Sequence, residues 1–556
     1  MDAERMLLGL VLLPVIAAAV IAIAPRGLAR GIGVVSSLVL LAYTIWVALR
    51  FPEWKSGAFW PLPGDASGLP LGLGATLSLG ADGVSMTLVV LTAFLTPLAL
   101  LGSWTAIVER QKEFYAWFML LTAATMLAFT ARDAISFLVG FEFTLVPMLF
   151  LIGIFGSEER RAAAIKFFLF TFVGGVFTLT GVIWLAADRA ADTGSWSFLL
   201  SDLQSHATTR FGAEKQSWLF AFLMIGFLVK VPVFPLHTWL PVAHTQAPTA
   251  GSVILAGTLL KLGGYGILRV ALPIAPLGAA EFVTVLAGLS IVGIVAIGAV
   301  CLVQRDMKKL IAYSSVAHMG VCILGMMALN PTGVTGSVFY MVSHGLSTGA
   351  LFLCVGFMYE RHHTKDMDQI GGLAKSMPIW AFFTVFFTMA SVGLPGLVGF
   401  PAEFLCLFGA FTATPDGVPG WPGMLGPRWV ILAAFAALVI GAAYMLYMVG
   451  RAVFGPARMP HGDGHHGHGQ VHGQIHDRGG LPTDLNGREI LTLGTLALAC
   501  LAFGLRPAPL LDAIGPSVAA TLKDLPAAVE RIREAEAPAT VASADTNGTA
   551  ETTANR

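Results

Sequence analysis

The sequence predicts an all-α polytopic membrane protein with about fourteen transmembrane helices. Composition comes first: 56% of the 556 residues are hydrophobic and only 12% are charged, about half the usual charged share. Apolar runs long enough to cross a ~30 Å hydrocarbon layer recur along the chain. Basic residues gather between those runs, and more of them in alternate loops.

In order, the runs lie near 6–24, 31–49, 84–103, 113–130, 134–156, 164–187, 218–240, 250–271, 281–303, 309–329, 333–358, 378–414, 429–450 and 489–505. The first follows MDAER, with two acids and one arginine, whereas a cleaved signal peptide starts basic. It reads as a retained helix with its N-terminus outside. Fourteen spans from that start also put the C-terminus outside. Loops on the inner side then hold 17 basic residues and outer loops hold 8, Arg269 among the outer and Lys308 among the inner. That excess follows the positive-inside rule.

Two basic residues fit no loop, Lys230 and Lys261. A charge at the membrane centre costs about 2.5–3.5 kcal/mol even on lenient scales, so such groups face a protein interior and usually work there. Lys261 lies roughly 16 Å along a helix from the start of its span, beyond easy snorkelling. Glu142 and Glu403 sit in apolar runs of their own, as do His318 and His344. Six ionisable groups strung through apolar helices predict a proton relay.

The stretch FLVKVPVFPLHTWLPVAH, 227–244, adds a break to the charge. Pro232 and Pro235 remove helix hydrogen bonds just past Lys230, and broken helices in bilayers mark lined cavities. SVGLPGLVGFPAEFL repeats the design near Glu403, with Pro395, Gly396, Gly399 and Pro401 as breakers. Lys230 and Glu403 are 173 residues apart, Glu142 and His318 176. Both intervals span five helices, and an odd offset reverses direction, so two inverted repeats are predicted, as in transporters. The predicted divisions are helices 1–3 over 1–105, one repeat over 106–272 and the second over 281–455. An inner loop follows over 456–488, then helix 14 over 489–510 and a tail over 511–556, disordered from about 534.

Polar neighbours at helical spacing suggest water files or interhelical bonds: Thr258 and Tyr265 beside Lys261, Ser314 beside His318, Ser347 and Thr348 beside His344. His237 and His244 read as structural. Five scattered cysteines without C-x-x-C spacing suggest neither an Fe–S cluster nor a redox pair, and no nucleotide-binding glycine motif occurs. The tract HGDGHHGHGQVHGQIH, 461–476, reads as a soluble flexible linker in preference to a weak zinc or nickel site.

The chain resembles the antiporter-like membrane subunits of proton-pumping NADH:quinone oxidoreductase, respiratory complex I. The resemblance rests on FEFTLVPMLFLIG, KVPVFPLHTWLPVAHTQAPTAGSVILAGTLLKLGGYGILR, DMKKLIAYSSVAHMG, HGLSTGALF, LPGLVGFPAEF and DLNGRE. It is most similar to the subunit-4, or chain M, branch. Subunits 2 and 5 carry lysine where Glu403 stands, and subunit 5 adds a lateral helix. The resemblance implies fourteen helices, with inverted repeats at spans 4–8 and 9–13. It also implies proton-path roles for Glu142, Lys230, Lys261, His344 and Glu403, with His318 beside them.

On this reading the chain does no redox chemistry and holds neither cofactor nor metal. NADH, FMN, Fe–S clusters and quinone belong to partner subunits of the membrane and peripheral arms. The lipid bilayer and protons are its other partners, nucleic acid is not, and its place is a bacterial-type inner membrane. Two features depart from the family: Pro401 and Ala402 precede Glu403 where glycine is usual, and the histidine-rich loop has no counterpart. The alternative is a subunit of a cation/proton antiporter or membrane-bound hydrogenase of the same fold, and an inert structural spacer ranks behind both.

Overall fold

The computed structural model describes residues 3–50, 52–57, 68–413, 427–458, 483–523 and 525–527. The histidine-rich tract 461–476 and the tail from 534 lie outside the described residues. The first helices are α1 (Ala3–Ile23), α2 (Ala29–Arg50), α3 (Gly83–Gly102) and α4 (Gln111–Thr130), with a hairpin of β1 (Leu69–Gly72) and β2 (Ala75–Leu77) before α3. Next come α5 (Ala134–Phe143), α6 (Leu145–Phe155), α7 (Arg160–Thr193) and a short α8 (Leu200–Arg210). The seventh span is α9 (Ala213–Lys230) plus α10 (Leu240–Gln246). The eighth is α11 (Thr249–Ile254), α12 (Leu260–Gly266) and α13 (Leu272–Ile274), joined through π-helical turns at Leu255–Leu259 and Ile267–Ala271.

The rest are α14 (Pro276–Leu302), α15 (Met307–Met326), α16 (Pro331–His362), α17 (Pro378–Val392), α18 (Gly399–Thr412), α19 (Pro427–Phe435) and α20 (Gly441–Ala452). A π turn at Ala436–Ile440 joins α19 to α20, and α21 (Gly487–Leu505) and α22 (Ala508–Leu522) follow. Among the described residues twelve spans are long and apolar enough to cross a membrane. The other two predicted spans, 218–240 and 378–414, are the broken pairs α9–α10 and α17–α18.

Local chemistry sets the helix starts and breaks. Asp82 and Ser85 form a capping box on α3, Asn486 and Glu489 another on α21, and Asp306 caps α15 through the Lys309 amide (2.9 Å). After α9, the Leu228 carbonyl that Pro232 cannot serve accepts from Val233 N (3.1 Å), and Val229 O accepts from Trp239 Nε1 (2.9 Å). The break is thus satisfied by protein, as an apolar surrounding requires. Between α17 and α18 the chain turns through Gly393 and Gly396, at φ +80° and +92°, a region open to glycine. Gly399 and Pro401 belong to the first turn of α18 and do not break it, because proline there displaces no hydrogen bond.

The predicted fifth span, 134–156, is also interrupted, at Thr144 between α5 and α6. Pro147 explains it: its missing N–H frees the Phe143 carbonyl one turn earlier.

Loops alternate between two ends of the bundle. At one end Arg132 N donates to Ser78 O and Leu200 N to Arg132 O. At the other, Met307 N donates to Lys365 O, Ser157 N to Gln246 O, and Gly371 pairs with Arg458. The eighth span and α16 form the interior: their most apolar windows are 94% and 100% buried, against 28–39% for α1, α2, α7 and α21. Two loop readings from the sequence are corrected here. Arg269 lies within the eighth span, buried and ion-paired to Asp82, because that span runs past the predicted end at 271. Lys308 is 5% exposed, in the first turn of α15.

A candidate proton path

Lys230 ends α9 and is 2% exposed. Its Nζ donates to Thr144 Oγ1 (2.9 Å) and to the Phe141 carbonyl (3.3 Å), 4.6 Å from the centre of the Phe141 ring. Thr144 donates its own proton back to Phe141 O (2.7 Å), so its lone pairs are free to accept from the lysine. Thr144 had no distinguishing mark in the sequence beyond standing three residues before Pro147.

Glu142, at the end of α5, lies against α7 where Gly175 leaves room; a Cβ at 175 would overlap its carboxylate. Neither carboxylate oxygen has a hydrogen-bond partner among the described residues. Glu142 and Lys230 feel each other's charge without a bond joining them.

Deeper in, Lys261 is completely buried. Its Nζ donates to the carbonyl of Ala256, in the π turn just before it, and lies 2.8 Å from His344 Nδ1 on α16. When Lys261 is an ammonium it can only donate, so in that state Nδ1 accepts and the imidazole proton sits on Nε2. That Nε2 has no partner among the described residues. Beside it is a cavity of about 10 Å³ lined by His318, Tyr340, Ser343, His344, Ser347, Ser391 and Gly399, near the minimum for one water.

Across the cavity, the rings of His318 and His344 have centres 6.0 Å apart. His318 Nδ1 is 2.8 Å from Tyr340 Oη and its Nε2 is 3.3 Å from Ser391 Oγ. Glu403, 4% exposed in the second turn of α18, packs against Gly393 at the end of α17 and acts electrostatically on Tyr340.

The string is therefore Lys261, His344, His318, Tyr340, Glu403. The Glu142–Lys230 pair stands apart from it: among the described residues no hydrogen bond joins Lys230 to Lys261. Their helices meet through Gly263 and Gly266, whose missing side chains let α12 approach Phe227 and Val231 of the seventh span.

Of the polar neighbours marked by helical spacing, four donate to backbone carbonyls, and one of those bonds, from Tyr265, runs between helices as the sequence allowed. Thr258 donates to Ile254 O, Tyr265 to Phe129 O, Ser314 to Ile311 O and Ser347 to Ser343 O. Thr348 has no partner among the described residues. Sequence reasoning missed Thr144, Tyr340 and Ser391. His237 stacks on Phe234 with ring centres 5.6 Å apart. His244 stacks face to face on Phe352 at 4.5 Å, and neither ring nitrogen has a partner among the described residues.

A helix bundle with discontinuous spans and ionisable groups buried along its interior defines the class: a polytopic ion-translocating membrane protein. Residues 131–418, more than half of the chain, match the family described as NADH:quinone oxidoreductase/Mrp antiporter, TM. The chain is 38% identical over 538 residues to NADH-quinone oxidoreductase subunit M of Rhodobacter capsulatus, an alignment covering 94% of this chain and 98% of the relative. It is also similar to a chain of respiratory complex I from Thermus thermophilus, solved with bound NADH, with TM-score 0.79 and 30% identity over 93% of this chain and 99% of that one. A chain of a Dietzia Mrp complex shares the fold at TM-score 0.76 and 19% identity, over 95% of this chain and 99% of that one. The chain belongs to the NADH:quinone oxidoreductase/Mrp antiporter membrane-subunit family.

Proposed function

We propose that this chain is a proton-translocating membrane-arm subunit of NADH:quinone oxidoreductase, embedded among the other membrane and peripheral subunits of that enzyme. The observation that carries the reading is the 2.8 Å contact between Lys261 and His344, made between the two most interior spans and continued through His318 and Tyr340 toward Glu403. A buried amine held on a neutral imidazole can pass a proton along, where an inert charge would be matched by an acid.

Electron transfer, with NADH, FMN, Fe–S clusters and quinone, takes place in partner subunits. The membrane is a bacterial-type inner membrane, with both termini on the outer side, as the loop charges favour. Residues 106–272 and 281–455 act as two inverted units. That reading is supported by the matching breaks after Lys230 and Val392 and by π turns in the helix that follows each.

Energy released in the partner subunits alters the charge of Lys230 through Glu142. Lys261 and His344 then carry the proton along the bundle toward Glu403. One charge moved against 100 mV requires about 2.3 kcal/mol, well within reach of making and breaking one buried charge pair. The test is Lys261→Met in the assembled complex, reconstituted in vesicles. Acidification driven by NADH should be lost while the complex migrates intact on a native gel. Full pumping by that variant would overturn the reading.

A further inference from the structure

His244 is completely buried, yet its two ring nitrogens have no partner among the described residues. A buried imidazole that serves only packing normally binds at least one carbonyl or hydroxyl. This one lies flat on Phe352, with an interplanar angle of 2°, so both nitrogens stay in the ring plane and open to neighbours on either edge. Those neighbours are cationic. Lys308 at the start of α15 and Lys261 in α12 both act on His244 electrostatically, and His244 in turn acts on His344.

Lys308 is anchored beside it. Its Nζ donates to the carbonyl of Ala247, the C-cap of α10, at 2.5 Å. Lys365, in the loop after α16, reaches the same helix end through Thr245 O at 3.1 Å. Lys365 is partly exposed and interacts with the half-buried Asp306 and the exposed Glu158. Burial pulls the Lys365 ammonium below the usual lysine range, which makes it readier to release a proton. Four basic groups thus run from one end of the bundle to its centre.

We propose that His244 and Lys308 form the proton inlet of this subunit, admitting protons from the loop end at 303–306 and 363–377 to the Lys261–His344 pair. The inference rests on the relay reading above. A neutral imidazole with both nitrogens available takes a proton on one and gives it from the other. The N–H bond at the Lys308 ammonium breaks as one forms on His244. The opposite N–H of the resulting imidazolium then breaks as one forms on neutral Lys261 or His344. Lys308 regains a proton from the Lys365 side, and the imidazole returns to its first tautomer by losing the proton on its Lys308-facing nitrogen as one is gained on the opposite nitrogen.

The test uses the whole complex in inside-out vesicles, where the medium sets the pH at the inner face. His244→Phe keeps the stack on Phe352 and removes both nitrogens. Lys308→Met keeps the stem and removes the charge. Both should assemble, with pumping reduced at least tenfold. Lys308→Met should lose rate more steeply than the unmodified enzyme as the medium is made alkaline, because protons reach His244 less often. A merely structural defect would lower the rate by the same factor at every pH.

Pumping at the unmodified rate by His244→Phe, while Lys261→Met is dead, would overturn the inlet and leave the relay standing. Full pumping by Lys261→Met as well would overturn the relay itself. If His244→Phe fails to assemble, Lys308→Met decides alone: an unchanged rate, or a loss uniform across pH, overturns the proposal.

Discussion

Thr144→Val is the most direct perturbation of the first cluster. Valine keeps the branched shape at the junction of α5 and α6 but cannot accept the 2.9 Å bond from Lys230. A hydrogen bond to a charged group is worth about 1.5–3 kcal/mol, and 1.36 kcal/mol is tenfold in rate. Two partners remain to the ammonium, the Phe141 carbonyl at 3.3 Å and the ring face at 4.6 Å. Both are already present beside Thr144 and make up none of the loss, so even at the lower end of the range the proportion of charged Lys230 should change roughly tenfold. Vesicles carrying the variant complex should pump several-fold to tenfold more slowly, read as dye quenching driven by NADH. Oxidation of NADH with an artificial acceptor should be unaffected, and Thr144→Ser, which keeps the acceptor, should restore most of the rate. If Thr144→Val pumps normally while Lys230→Met does not, the hydroxyl has no part in setting the lysine's charge.

The other predictions concern the remaining groups. Glu142→Gln should assemble and stop pumping, whereas Glu142→Asp should retain part of it. Lys230→Arg should fail although it stays cationic, because arginine does not release its proton; normal acidification by Glu142→Gln would make the pair structural. Glu403→Gln, nearly unchanged in volume, should lower pumping in reconstituted vesicles with assembly intact, and a full rate would remove that residue from the path. Asp82→Ala should destabilise the subunit by about 3–5 kcal/mol, since it strips the buried Arg269 of its carboxylate. Thermal unfolding in detergent should show the loss, and Asp82→Ala combined with Arg269→Met should recover much of it. An unchanged midpoint for Asp82→Ala alone would mean that the ion pair contributes little.

The spans were readable because the bilayer leaves backbone no alternative to helix, so every long apolar run had one outcome. The breaks after Lys230 and Val392 were readable from proline and glycine. The break at Thr144 was equally marked, by Pro147, but a single proline in a long apolar run is easily read through. Arg269 and Lys308 were misread for one reason: span ends are soft, and a charge near an end counts as a loop residue until its burial is known. All of the string but Tyr340 was named from the sequence. Lys261 and His344 stood out by being ionisable in apolar surroundings. Tyr340 and Ser391 did not, because a hydroxyl in a membrane helix is commonplace and their link to His318 crosses between helices, 22 and 73 residues away.

The last described helix has a consequence for how the subunit is made. Ser517 of α22 accepts from the Gly83 amide (2.8 Å), and Thr521 accepts from Arg269 (2.8 Å). Gly83 has no side chain to obstruct α22, whose Ala513 carbonyl occupies the space a Cβ would need. The third and eighth spans therefore receive part of their hydrogen bonding from a helix made after all of the spans. A chain whose earlier spans are already inserted still has an unfinished seam where α3 meets the Arg269 turn. Docking of α22 closes that seam, so maturation of this end of the bundle waits on α22. A quality-control protease would find an incomplete subunit open there.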